Sequence, residues 1–124
     1  MKMTRQLIPM DNKRKVRTVF RDSVFKRDKY TCKVCGKIWK PEDADPSLGR
    51  INAHHITDRN LMPNGGYVKE NGITVCDGGK DSCHIRCEQF HLTGKVEPEV
   101  HPDKLYKLIN SSKELAIKAA TALK

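Results

Sequence analysis

The chain has 124 residues, 24 of them lysine or arginine and 15 aspartate or glutamate, for a formal net charge of +9. Only 37% are hydrophobic and the mean hydropathy is −0.66, so a large apolar core cannot carry the fold alone and a second source of stability is expected. The composition argues against collagen, coiled coil and long disorder, and no apolar run approaches the roughly 20 residues of a membrane span. The opening MKMTRQLIPM has neither the sustained apolar stretch nor the small-residue cleavage site of a secretory signal. The expected compartment is therefore a reducing cytoplasm, where structural disulfides are not expected. Five cysteines, three of them between Cys76 and Cys87, point instead to metal. Basicity in a domain this small points to nucleic acid.

Taken in chain order, the first thirty residues hold ten lysines and arginines against three aspartates. Residues 1–16 read as a basic arm, with Lys13, Arg14, Lys15 and Arg17 as candidates for phosphate contact. The plainer reading is a solvated arm that aids solubility. Arg21 to Lys29 reads as a short helix capped by Asp22 or Ser23, with Val24 and Phe25 facing the core beside Phe20. TCKVCG is a knuckle, and residues 40–50, rich in proline and acids, a surface loop. Ile51 to Ile56 is a candidate strand. Pro63, Asn64, Gly65 and Gly66 signal turns before a second strand over Gly72 to Val75. DGGKDS must loop, with Asp81 or Ser82 capping a helix from Cys83 to Phe90. Thr93 to Pro102 is a linker. From Asp103 the tail reads as one helix, with Leu105, Leu108, Ile109, Leu115, Ile117 and Ala120 near a helical period. Ser111 and Ser112 are places where it can kink or split.

Cys32-x-x-Cys35 with Cys76 and Cys83 is the strongest chemical signal. Two cysteine pairs brought together bind zinc tetrahedrally through four thiolates. The second pair is unusually wide, with six residues between its cysteines. Cys87, one helical turn past Cys83, reads as a core residue. Zinc here is structural, and its binding free energy counts toward folding. A second group comprises His54, His55, Asn71, His84, Glu88 and His91. Adjacent strand residues normally face opposite sides, so His54 and His55 either diverge or share one site at a twisted strand end. His84 and Glu88 lie one turn apart on a helix, and His91 lies near the same face. A divalent ion held by one or two imidazoles and a carboxylate keeps positions open for a phosphate oxygen and water. A neutral histidine beside it can take a proton from water.

The segments VFKRDKYTCKVCG, NAHHI, ENGITVC and CHIRCEQFH, in this order, resemble the HNH endonucleases. The resemblance spans about Arg17 to His91, and it is the order of the pieces that makes it specific. It implies an α+β chain: a small zinc-stabilised ββα-metal nuclease fold with flanking helices, comprising the arm (1–16), the nuclease core (17–92) and a linker with a C-terminal helix (93–124). It implies that His55 is the general base, His54 a metal ligand, and Asn71 the residue that braces the loop between the strands. His84 corresponds to a helix-borne ligand or a histidine supporting one. Where many members carry a second histidine four residues after the first, this chain has Glu88, with His91 further on; Glu88 is favoured as the ligand. Arg59 is a candidate for phosphate contact, with an ordinary loop arginine as the equal alternative.

The expected activity is metal-dependent hydrolysis of DNA phosphodiester bonds, using structural zinc and a catalytic magnesium, manganese, nickel or zinc ion. With no separate reading domain, contacts to phosphates should outnumber contacts to bases. Other candidate partners are a second copy of the chain and a phage or restriction protein. A noncatalytic zinc module that binds nucleic acid, or a phage packaging and assembly factor, is the alternative; neither needs His54, His55 and Asn71.

Overall fold

Strand pairing brings Ile51 opposite Cys76 and His55 opposite Gly72 in a two-stranded antiparallel sheet. In this computed structural model, which describes residues 10–123, the elements run α1 (Met10–Arg27), β1 (Ile51–His55), β2 (Gly72–Cys76), α2 (Cys83–Thr93), α3 (Pro102–Leu108) and α4 (Lys113–Thr121). Short 3-10 turns fill the connections. The chain is thus a small mixed α/β fold. Successive strand residues face opposite ways: His55 and Gly72 look toward α1, and His54 and Ile73 toward α2.

The first helix differs from the sequence expectation. It starts at Met10 rather than Arg21 and ends at Arg27 rather than Lys29. Lys13, Arg14, Lys15 and Arg17 therefore sit on a helix, not in an extended arm; residues 1–9 lie outside the described residues. The reason is physical. Phe20, Val24 and Phe25 bury the C-terminal half, and lysine and arginine are good helix formers that let the anchored turns propagate toward the N-terminus. Left-handed backbone at Lys29 and Tyr30 (φ 56° each) stops the helix.

Where α1 crosses the sheet, only glycine fits. A Cβ on Gly72 would lie 2.5 Å from Val24 Cγ2 and 2.7 Å from Phe20 Cε1. The outer edge of β2 is covered at the same crossing. The Thr74 amide donates to Asp28 Oδ2 (2.9 Å) and Arg27 Nη2 donates to the Gly72 carbonyl (2.6 Å). The Lys33 amide donates to the Thr74 carbonyl (3.0 Å). No ladder group of Thr74 is left open to a foreign strand.

On the other face, Ile56, Ile73, Val75 and Cys87 join Val100, Leu105, Tyr106, Ala116 and Ala120 in one core. The tail that reads as one helix is two. Asn110 turns left-handed (φ 57°) after α3, and the Ser112 hydroxyl accepts from the Leu115 amide (3.1 Å) to start α4. Both pack on the 57–71 loop. Asn64 Nδ2 donates to the carbonyls of Ala120 (2.9 Å) and Leu123 (3.1 Å), satisfying the end of α4. Among the described residues, no helix is long and apolar enough to cross a membrane.

Candidate metal and acid–base site

The thiol sulfurs of Cys32, Cys35, Cys76 and Cys83 converge within 4.8 Å of one another. The Thr31–Ile38 knuckle supplies the first two, the end of β2 the third, and the first residue of α2 the fourth. Two amides already point at sulfur: Cys35 to Cys32 Sγ (3.4 Å) and Cys83 to Cys76 Sγ (3.3 Å). Backbone amides of this kind stabilise thiolates. Packed together without a counter-charge, the sulfurs disfavour ionisation: burial foremost, then its sulfur neighbours, push Cys83 far up. A divalent cation reverses that balance, so the donor set fits a metal such as zinc. Cys87 stays outside the cluster, buried in the core, its thiol pushed up to about 12 mainly by burial.

A second cluster lies where β1 meets α2. One ligand atom each from His54, His84 and Glu88 falls within 4.8 Å of the others. His54 Nδ1 stands 3.1 Å from Glu88 Oε2, and His84 Nε2 stands 3.6 Å from the same oxygen. His54 is buried, yet neither ring nitrogen makes an aligned hydrogen bond. A buried imidazole with both nitrogens unpartnered is costly, and an ion between the three side chains would give one of them a partner. The charges are complementary. The imidazoles of His54 and His84 beside it hold the Glu88 carboxyl well below the usual carboxylate range. Burial lowers His54. Burial also opposes charge on His84, but Glu88 and Asp77 together raise it.

His91 is not brought into this set. Its ring stacks on His54 (centroids 5.1 Å apart), while its Nε2 lies 2.9 Å from the His55 carbonyl. Of the two candidates on α2, Glu88 is therefore the one at ligand distance.

His55 occupies the opposite face. Its ring stacks on Phe20 at 4.6 Å and meets the edge of Tyr67 at 4.7 Å. Burial first, then the neighbouring His54 and Arg59, pull its pKa down to about 4, so it is neutral at pH 7. His55 lines a cleft of about 250 Å³ together with Arg17, Arg21, Tyr67 and Asp77. Arg17 lies over the Tyr67 ring (5.9 Å) and Arg59 Nη1 donates to its hydroxyl (3.1 Å). Lys13, Arg14 and Lys15 are exposed on the leading turns of α1. Lys13, Arg17 and Arg21 are spaced four apart, in one row along the helix that runs to this cleft.

Asn71 is fully buried and uses its whole hydrogen-bonding capacity. Its Oδ1 accepts from the Thr57 amide (2.9 Å) and the Tyr106 hydroxyl (2.8 Å). Its Nδ2 donates to the carbonyls of Thr57 (3.1 Å) and Gly66 (3.3 Å). It thereby pins both ends of the loop that follows His55. Tyr67, Arg21, Asp77 and Tyr106 were not singled out in the sequence. Arg21 could have been found from its spacing to Arg17, and Asp77 from following Cys76 as His84 follows Cys83. Tyr67 and Tyr106 carry no such signal.

Comparison of the chain with family models, curated proteins and solved structures returned no match.

Proposed function

We propose that the protein is a metal-dependent endonuclease of the HNH type that hydrolyses DNA phosphodiester bonds. The observation that carries this reading is the position of His55. Its imidazole lines an arginine-walled cleft, one residue from a histidine that forms an ion-sized donor set with a helix-borne His–x3–Glu pair. The strand, strand and helix that present these side chains follow in the order the sequence resemblance implies.

The division of labour follows from the two faces of β1. His54, His84 and Glu88 would hold a divalent ion, which supplies Lewis-acid stabilisation of charge on the phosphate and the leaving oxygen. His55 Nε2 is buried without a partner, which leaves Nδ1 to take a proton from water as it attacks phosphorus. Phe20 and Tyr67 fix the ring plane for that transfer. Arg17 and Arg21 bind phosphate oxygens in the cleft, with Arg59 beside it on the Tyr67 hydroxyl. Asn71 holds the strand exit that carries His55. The four cysteines hold zinc, and DNA is the partner favoured by the charge of α1. The cytoplasm of a bacterial host or a phage-infected cell suits both the thiols and the substrate.

Supercoiled-plasmid nicking at low salt tests this. Wild type and His55→Ala, each shown to be folded with one zinc, are assayed with magnesium, with manganese and with chelator. Metal-dependent nicking that falls at least about 100-fold in His55→Ala is expected. Equal activity in both proteins overturns the assignment of the base. Salt-sensitive DNA binding without cleavage under any metal would make the protein a noncatalytic zinc module or a packaging accessory factor.

A further inference from the structure

Six residues separate Cys76 from Cys83, against two between Cys32 and Cys35. Cys76 and Cys83 are each followed by a side chain of the second cluster's surroundings: Asp77 after Cys76 and His84 after Cys83. The two meet, with His84 Nδ1 lying 3.2 Å from Asp77 Oδ2. The turn between them is built for this. Asp77 Oδ1 accepts from the Gly78 amide (2.8 Å). Gly78 takes left-handed backbone (φ 96°), where a Cβ would also lie 2.7 Å from the Gly49 carbonyl oxygen.

We propose that Asp77 is a positioning residue that fixes the tautomer and ring orientation of His84 for the ion held with His54 and Glu88. A carboxylate only accepts, so the proton of a neutral His84 is drawn to Nδ1. Nε2, the nitrogen that faces Glu88 at 3.6 Å, then keeps its lone pair for the ion. Asp77 is outside the mutual-distance set of His54, His84 and Glu88, so it acts through His84 and not as a ligand. Carboxylates placed behind a ligating histidine in this way raise its basicity and hold its plane. The Cys83 amide also donates to Cys76 Sγ (3.3 Å), which holds together the two cysteines that precede Asp77 and His84.

The proposal rests on the reading of His54, His84 and Glu88 as an ion site, and the experiment separates the two. Ni²⁺ is titrated calorimetrically into the untagged, zinc-loaded full chain of wild type, Glu88→Ala, Asp77→Ala and Asp77→Asn. In parallel, long-range ¹H–¹⁵N spectra of the nickel-free proteins report the His84 tautomer. The expected result is Nδ1-protonated His84 in wild type, loss of that tautomer preference in Asp77→Ala, and Ni²⁺ affinity lower by 10- to 100-fold. Asp77→Asn keeps an acceptor and the Gly78 turn, and should restore part of the loss. Zinc content should stay at one per chain throughout. If Glu88→Ala abolishes Ni²⁺ binding but both Asp77 variants bind as wild type, the role of Asp77 is overturned and the ion site stands. If wild type binds no Ni²⁺, or Glu88→Ala binds as well as wild type, the ion site falls and the role of Asp77 with it. Zinc loss in Asp77→Asn would make Asp77 a support of the cysteine cluster instead, and would also overturn it.

Discussion

At the scale of single residues, Asn71 shows how one side chain can fix a loop. Its four bonds reach Thr57, Gly66 and Tyr106. Asn71→Ala would strand a buried Thr57 amide and leave the Tyr106 hydroxyl with Thr57 Oγ1 alone, a cost of about 1–3 kcal/mol. Urea unfolding should show that loss as a lower midpoint with an unchanged slope. Tyr106→Phe removes two of the bonds in this network and keeps the ring, so about 1–2 kcal/mol is expected from the same measurement. Asn71 was legible only through the resemblance, which implies a brace for the loop between the strands at that position. Tyr106 was not, because its hydrogen bond spans 35 residues of chain and nothing in the tail's apolar period distinguishes a hydroxyl that reaches inward from one that meets water. Tyr67, against the His55 ring, was hidden for the same reason: it sits in a glycine-rich turn that reads only as a connection.

At the scale of elements, α1 has two halves with two tasks. The C-terminal half crosses the sheet over Gly72. Gly72→Ala would push a methyl group against Val24 and Phe20 and destabilise the chain by about 1–3 kcal/mol, readable as a lowered thermal midpoint. Since Phe20 stacks on His55, the same change should lower nicking more than the loss of folded protein accounts for. The N-terminal half is a charged rod. Replacing Lys13, Arg14 and Lys15 together with alanine should leave the thermal midpoint within experimental scatter. It should weaken duplex binding and flatten its salt dependence by roughly 0.9 in the log–log slope for each phosphate that is no longer neutralised. The sequence did not reveal this half as helix because a charge run has no apolar period to read before Val16. What it needs is an anchor downstream, and that anchor is tertiary. The strands and α2 were plain from local signals, within three residues at each end, because turn residues and the Ser82 cap bound them.

For the whole molecule, the low apolar content and the four converging cysteines belong together. A metal in that cluster would tie together the knuckle, the end of β2 and the start of α2. Structural zinc sites are worth roughly 10–16 kcal/mol, as much as the whole stability of a typical domain. Chelation of the zinc-loaded protein, or Cys83→Ser, should therefore abolish the cooperative thermal transition rather than shift it, as followed by near-ultraviolet circular dichroism. Cysteine spacing foretold which four thiols converge. Spacing could not foretell that the wide knuckle seats a carboxylate behind a histidine, because that meeting depends on how the turn at Gly78 folds back.

The dependence of Asn71 on Tyr106 also orders events during synthesis. The strands, both clusters of candidate metal ligands and His55 all leave the ribosome before α3 does. Until Tyr106 emerges, Asn71 Oδ1 lacks one of its two donors, the loop after His55 has no helix to rest on, and Asn64 has no carbonyls to cap. A nascent chain therefore carries both donor clusters and the His55 imidazole before it carries the hydroxyl that completes the brace between the strands.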